Sequence, residues 1–443
     1  MAQSIYITET PKRNAVVYGA AGRIGLPFSV WLSGKFDNVV GIDINETEVN
    51  KLNSGQYVPF KEYGLKDKLS QAVKTGRLSF SGPSEDHQSI VENANAVFIV
   101  VGTPLMPDGH LDHGPLLSIV NTLKSSYKMN SPWLLVIRST VEIGTTDYIK
   151  DLWPSDEFNN PPTVVFWPER VMEGNALNEF DDLPSIIGLP KGTNYINIAH
   201  WKSVFCGRNN KEDLITVSAK EAEFMKLATN TARMMHFAIA NKLYFLALEN
   251  GIEFDDIFTK MKWRYPRLDF MSYPGPVGGP CLSKDWSAFG SQDSYLQNIV
   301  SVNTTKWYEM IHNELIQTPL PKRVLIVGGS FKAESDNMRD SNAIELKNFL
   351  TKKIPRGLIT LDVYDPVVDP DNIILNDEIG KYDAFVIMTP HKEIIENFLN
   401  RILAYKNSEA LVINPYAIYL QQERESYCIS YSLNKKYTQR VFK

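Results

Sequence analysis

Residues 14–43 read NAVVYGAAGRIGLPFSVWLSGKFDNVVGID. An apolar run from Asn14 to Tyr18 meets the loop Gly19-Ala20-Ala21-Gly22-Arg23-Ile24-Gly25, and an apolar-periodic stretch to about Gly34 leads to a second run, Val39 to Asp43. The order is strand, turn, helix, strand. In that setting glycines let the backbone approach a pyrophosphate at the helix N-terminus, and Asp43, 18 residues after Gly25, is placed to take ribose hydroxyls. A glycine-rich loop alone is a weak signal; its position between strand and helix is what points to a dinucleotide. The spacing is GxxGxxG, with Ala20 where the commoner GxGxxG would put its first glycine. Ile44 follows Asp43 where an arginine would be needed to compensate a 2′-phosphate, which favours NAD over NADP.

Outward from this unit, further strand-like runs occur at 96–101, 133–137 and 164–167, with helical patterns between them. Strands alternating with helices predict a doubly wound parallel sheet. From Ser218 to Glu249 the pattern becomes one long helix, opened by the capping box Ser218-x-x-Glu221 and stopped by Gly251. Roughly 30 residues at 1.5 Å each make a rod on the order of 45 Å, a connector or a dimer spine. Its Phe224, Met225, Met234, Phe237 and Phe245 predict burial, in part against a second copy of itself. After Thr318-Pro319-Leu320-Pro321 strands restart at Arg323, Thr360, Ala384 and Leu411. The expected fold is α/β: two Rossmann-like doubly wound α/β domains joined by a long central helix, with a ligand crevice between them. The expected boundaries are 1–212, 213–317 and 318–443.

The 443 residues carry a formal charge of −5, which argues against a general nucleic-acid binder. No stretch approaches the roughly 18 apolar residues needed to span a bilayer, and the first residues lack the apolar core of a signal peptide, so a cytoplasmic location is expected. Cys206, Cys281 and Cys428 are too few and too scattered for a disulfide framework or a thiolate metal site. Cys281 stands apart chemically: PGPVGGPCLSKD (274–285) surrounds it with glycines and prolines and follows it with Lys284 and Asp285. A nearby cation favours the thiolate, the form that attacks carbonyl carbon, whereas the bland alternative is a buried cysteine in a tight turn. PDGHLDH crowds Asp108, His110, Asp112 and His113 together, but their spacing fits no standard zinc pattern, and no catalytic metal is expected.

Seven motifs then resemble, in order, the UDP-glucose/GDP-mannose dehydrogenase family over nearly the whole chain: GIDIN (41–45), VVGTP (100–104), RSTVEIGTT (138–146), WPERVMEG (167–174), KLATN (226–230), GGPCLSKD (278–285) and SFKAESDNMRDS (330–341). The resemblance implies an NAD-dependent oxidation of a UDP-sugar CH2OH to the carboxylate through a thioester on Cys281. It implies that Asp285 orients water, that Lys226 and Asn230 stabilise the oxyanion and hold the sugar, that Thr140 positions the water and that Glu173 is the general base. Cofactor contacts are implied for Gly19, Gly22, Arg23, Ile24, Gly25, Asp43, Thr103, Thr140, Lys284 and Arg339. Substrate contacts are implied for Glu169 (also an active-site support), Arg170, Glu173, Lys226, Asn230, Gly278 and Lys332, and for Arg267 across a homodimer interface formed through the central helix. The segment 168–188 and YPRLDFMSYPGPVGG (265–279) resemble the UDP-N-acetyl-mannosamine/glucosamine branch more than the glucose branch, although Pro280 stands where that branch has His. Two alternatives stay open, a UDP-glucose 6-dehydrogenase and a catalytically silent nucleotide-sugar-binding protein. A short-chain reductase would need a Tyr-x-x-x-Lys pair mid-domain, and the spacing at Tyr431 to Lys435 falls far outside the nucleotide domain.

Overall fold

The computed structural model describes residues 13–415, apart from 86, 126–132, 156, 159–160, 196–197, 208, 210–213, 291–293, 318, 320–321, 370–378 and 399–410. Cys428 and the Tyr431–Lys435 pair lie outside the described residues. Contacts divide the chain into two compact units, Met1–Ala228 and Thr229–Lys443.

The first unit is built on an eight-stranded sheet: β1 (Asn14–Tyr18), β2 (Asn38–Ile42), β3 (Leu78–Ser81), β4 (Ala96–Ile99), β5 (Leu134–Ile137), β6 (Thr163–Phe166), β7 (Ser185–Leu189) and β8 (Leu214–Ser218), in the order β3-β2-β1-β4-β5-β6-β7-β8. Every neighbouring pair is parallel except β6–β7. Successive residues point to opposite faces, and both faces are dry: Ala15, Val17, Phe98 and Val136 enter one core, while Val16, Tyr18, Ile99 and Ile137 enter the other. That double burial is why these strands read as continuous apolar runs. Strands β3 and β8 form no such run: serines interrupt β3, and every residue of β8 is exposed or half-buried. The strand order reverses between β1 and β4, so the loops after those strands flank a crevice of the kind that holds ligands in open α/β sheets.

The second unit carries a smaller parallel sheet, β9 (Lys322–Val327), β10 (Ile359–Tyr364), β11 (Ala384–Ile387) and β12 (Leu411–Ile413), ordered β10-β9-β11-β12. It too is covered on both faces, by Val324 and Ile326 on one side and Leu325 and Val327 on the other. The order reverses between β9 and β11.

One helix, Ala219–Glu249, passes from the first unit into the second. Its capping box forms as expected: Glu221 N donates to Ser218 Oγ at 3.3 Å and Ser218 N donates to Glu221 Oε2 at 2.8 Å. Glu223, fully buried, ties it to the helix Thr145–Asp151, accepting from Gly144 N, Thr146 N and Thr146 Oγ1 at 2.6–2.8 Å. Burial pushes the Glu223 carboxyl up, and those three donors oppose the shift. Met234 and Phe245 are buried, but Phe224, Ile239 and Leu246 face solvent. Among the described residues no helix is long and apolar enough to cross a membrane.

Candidate active site

In the first unit the glycine loop follows β1 and leads into the helix Gly25–Leu32. Gly19 has φ +84°, and a Cβ there would come within 2.6 Å of the Val100 carbonyl oxygen; at Gly25 it would strike the Gly19 carbonyl oxygen at 1.9 Å. Ala20 is fully buried, and a Cβ on Gly41 would lie 2.6 Å from the Ala20 methyl. The methyl that breaks the usual glycine spacing therefore packs onto a glycine in β2. Asp43, just past β2, accepts from Ala21 N at 2.9 Å and from Asn45 N at 3.0 Å, so its carboxylate is fixed beside the loop. Ile44 beside it is 90% exposed and supplies no cation. A cramped glycine turn at a helix start with an uncompensated carboxylate beside it fits a dinucleotide with a free 2′-hydroxyl.

The loops after β4, β5 and β6 close around the same edge. Thr103 Oγ1 donates to the Thr140 carbonyl at 2.7 Å, joining two of them. Glu169 Oε1 accepts from Arg170 N and Val171 N at 2.8 Å, while Arg138 Nη2 donates to its Oε2. Arg138 is 2% exposed, its guanidinium lying 4.1 Å from the Phe28 ring centre and 4.2 Å from that of Trp167. Burial pulls its pKa down, and the Glu169 charge resists that. Glu169 is thus the support of the 167–174 loop. Glu173 receives Arg23 Nη1 at 2.8 Å, linking the glycine loop to the expected base. Glu62 accepts from Gly174 N and Ala176 N at 2.7 Å, which anchors Glu173 from the other side and satisfies the start of the helix Ala176–Asp182. Burial raises the Glu62 carboxyl. Arg170 is exposed and reaches the Pro184 carbonyl at 3.4 Å.

In the second unit Cys281 is exposed and immediately precedes the helix Leu282–Gly290. The positive end of the helix favours a negative sulfur there. Asp285 is 1% exposed; its amide donates to the Cys281 carbonyl at 2.9 Å, and its carboxylate receives Asn230 Nδ2 at 2.5 Å and Lys284 Nζ at 3.1 Å. Lys284 therefore compensates Asp285. Lys226 stands one turn before Asn230 on the same helix, half-buried. The loop before Cys281 is held at several points: Asn241 bonds Gly275 through both its amide and its carbonyl, Val277 N donates to Asn303 O at 3.0 Å, and Gly279 N donates to Asp340 O at 2.8 Å. Gly279 has φ +106°, and a Cβ there would come within 2.5 Å of the Phe331 ring; a Cβ on Gly278 would meet Asn342 at 2.9 Å. The cysteine loop and the 330–341 segment are thus packed directly together.

Lys332 is half-buried, and Arg339 is exposed with its amide 3.1 Å from Asn337 Oδ1. Arg267 is exposed on the short 3-10 turn Pro266–Leu268, beside the Tyr265 ring. In PDGHLDH, Asp108 and Asp112 cap backbone amides of their own loop, and His110 Nδ1 lies 3.0 Å from Glu142 Oε1. Sequence reading missed Glu62, Glu223, Asp365 and His391, which carry no motif. Arg138 could have been found, since it follows four apolar strand residues and must be buried with them.

Three family models match: the NAD binding domain of the UDP-glucose/GDP-mannose dehydrogenase family over residues 14–204, its central domain over 220–304 and its UDP binding domain over 325–420. A UDP-N-acetyl-D-mannosamine dehydrogenase of Methanococcus vannielii is 29% identical over 387 residues, 84% of this chain and 85% of that protein. A GDP-mannose 6-dehydrogenase of Pseudomonas aeruginosa is 27% identical over 350 residues, covering 75% and 77%. In fold, the chain is similar to a UDP-glucose dehydrogenase from Pyrobaculum islandicum, with TM-score 0.78 and 22% identity over 94% of this chain and 97% of that one.

Proposed function

The chain belongs to the UDP-glucose/GDP-mannose dehydrogenase family of NAD-dependent oxidoreductases, and on that premise we propose that it oxidises a UDP-N-acetylhexosamine, such as the ManNAc or GlcNAc derivative, at C6 to the uronate. The observation that carries the chemistry is the exposed Cys281 at the head of a helix, with buried Asp285 one turn on and bonded to Asn230. Nicotinamide, when bound, accepts the hydrides. Lys226 and Asn230 take the charge that develops on the sugar oxygen. The Cys281 thiolate adds to the aldehyde, and loss of the second hydride leaves a thioester. Thr140 and Asp285 place the water that Glu173, oriented by Arg23, activates for hydrolysis. One CH2OH, two NAD+ and one water give a carboxylate, two NADH and three protons.

Gly19, Gly22, Arg23, Ile24, Gly25, Asp43, Thr103, Lys284 and Arg339 form the cofactor side of this reading. Gly278, Arg170 and Lys332 form the nucleotide-sugar side, with Glu169 as support. We place the protein in the cytoplasm as a homodimer. The helix Ala219–Glu249 leaves Phe224, Ile239 and Leu246 exposed within a sector of about 60°, a seam suited to a second copy, with Arg267 reaching across. The choice of sugar rests on the 168–188 pattern and on the relative from Methanococcus vannielii. It is tested by following NADH at 340 nm with UDP-glucose, UDP-N-acetylglucosamine, UDP-N-acetylmannosamine, UDP-galactose and GDP-mannose in parallel. An acetamido sugar should lead in kcat/KM by about ten-fold or more, with two NADH per sugar. A lead for UDP-glucose or GDP-mannose overturns the sugar assignment, and no turnover of any of them overturns the enzyme reading.

A further inference from the structure

Behind the 330–341 segment lies a buried network at the strand-order reversal of the second sheet. Asp365, just past β10, is 3% exposed, and Ser330 and His391 are fully buried. Asp365 Oδ2 accepts from Ser330 N at 2.7 Å, from Ser330 Oγ at 2.6 Å and from His391 Nε2 at 2.9 Å. Thr389 Oγ1 donates to the Ser330 carbonyl. Four residues on from Ser330, the Glu334 amide donates to His391 Nδ1 at 3.0 Å, and Lys392 N donates back to Glu334 Oε1 at 2.8 Å. Because Nδ1 accepts, the imidazole proton sits on Nε2, where Asp365 receives it. Both ends of the hook Ser330–Glu334 are thereby tied to one pair of side chains, with Lys332 at its centre. Glu334 holds φ +61°, a left-handed conformation costly for a residue with a side chain, so the hook needs an outside tether to keep its shape.

We infer that His391 is a positioning residue: with its Nδ1 it holds Glu334, and so sets the hook that presents Lys332 to the nucleotide diphosphate. The same hook carries Phe331, which meets Gly279 of the cysteine loop. The inference rests on the reading of Lys332 as a nucleotide-sugar ligand. His391 touches neither substrate nor cofactor in this scheme; it acts through Lys332.

Two near-isosteric variants separate the role of Nδ1 from that of Nε2. His391→Asn can keep an acceptor for the Glu334 amide but loses the donor to Asp365, and His391→Gln does the reverse. Titration of the full chain with UDP should show affinity about ten-fold or more weaker for His391→Gln and for Lys332→Met, and within about three-fold of native for His391→Asn. The Lys332→Met/His391→Gln double variant should be no weaker than the weaker single by more than about three-fold, because the two changes remove one interaction. NAD affinity should stay native throughout. Native UDP affinity in His391→Gln, an equal loss in His391→Asn, or multiplicative losses in the double variant each overturn the positioning role. Native affinity in Lys332→Met overturns the reading of Lys332 instead. Should His391→Gln not fold, 15N-histidine NMR of the native chain decides: the Nε2–H tautomer at His391 supports the inference, and the Nδ1–H tautomer sinks it.

Discussion

Replacing Asp365 by Asn tests how strongly the second unit depends on one buried charge. Burial alone would raise this carboxyl, but the hydrogen bonds from His391, Ser330 and the Val367 amide together hold it at about 2, against an ordinary 3.8. A difference of about 1.8 units at 1.36 kcal/mol each is worth about 2 kcal/mol of stability at neutral pH. The folded-state pKa is the lower one, so this contribution is fully present above the unfolded value near 3.8 and is lost as pH falls toward 2. In the native chain the transition of this unit should therefore weaken on acidification more steeply than in Asp365→Asn, whose amide does not titrate. At roughly 2–4 °C per kcal/mol for a unit of this size, the pH-dependent part of the gap is on the order of 4–8 °C. Scanning calorimetry of both proteins from pH 7 to pH 2 reads most of it. The fixed part of the gap reflects lost hydrogen bonds and carries no pH dependence. A gap of constant size across that range, or one that widens in acid, would refute the assignment of a stabilised carboxylate.

Three other substitutions probe the first unit. Glu173→Gln should slow hydrolysis by about 10² to 10⁴-fold while leaving oxidation less affected. Intact-mass spectrometry after mixing with nucleotide sugar and NAD should then find an acyl adduct that a Cys281→Ala background lacks, and a bare mass during slow turnover would count against Glu173 as base. Gly25→Ala places a methyl 1.9 Å from the Gly19 carbonyl oxygen, a backbone clash with no side chain to yield. It should weaken NAD binding by about ten-fold or more, or prevent folding, whereas Gly22→Ala, at 3.3 Å from the same oxygen, should be milder. Native NAD affinity in Gly25→Ala would contradict the tight turn.

Local pattern by itself determined that the chain has two α/β sheets and one long helix. Buried parallel strands must be apolar on both faces, helix starts need side-chain caps, and a turn such as the one at Gly25 has room only for hydrogen. Those demands are met within a few neighbouring residues, so β1, β4, β5, β6, the capping box at Ser218 and the second sheet could be read directly. The reactive character expected of Cys281 was equally local, resting on the glycines, Lys284 and Asp285 around it. Tertiary structure alone decided what required distant residues to meet. The short, half-exposed β8 and the antiparallel β6–β7 step depend on sheet neighbours rather than on their own periodicity. Asp285 is bonded to Asn230 55 positions earlier in the chain, Glu169 is occupied by a buried Arg138 31 positions earlier, and Glu173 is paired with Arg23 150 positions away. His391, Asp365 and Ser330 come together only because β9, β10 and β11 end side by side, and no spacing in the sequence announces that. A buried charge can be recognised from its apolar neighbours, as at Arg138, but its partner is fixed by the path of the chain through space.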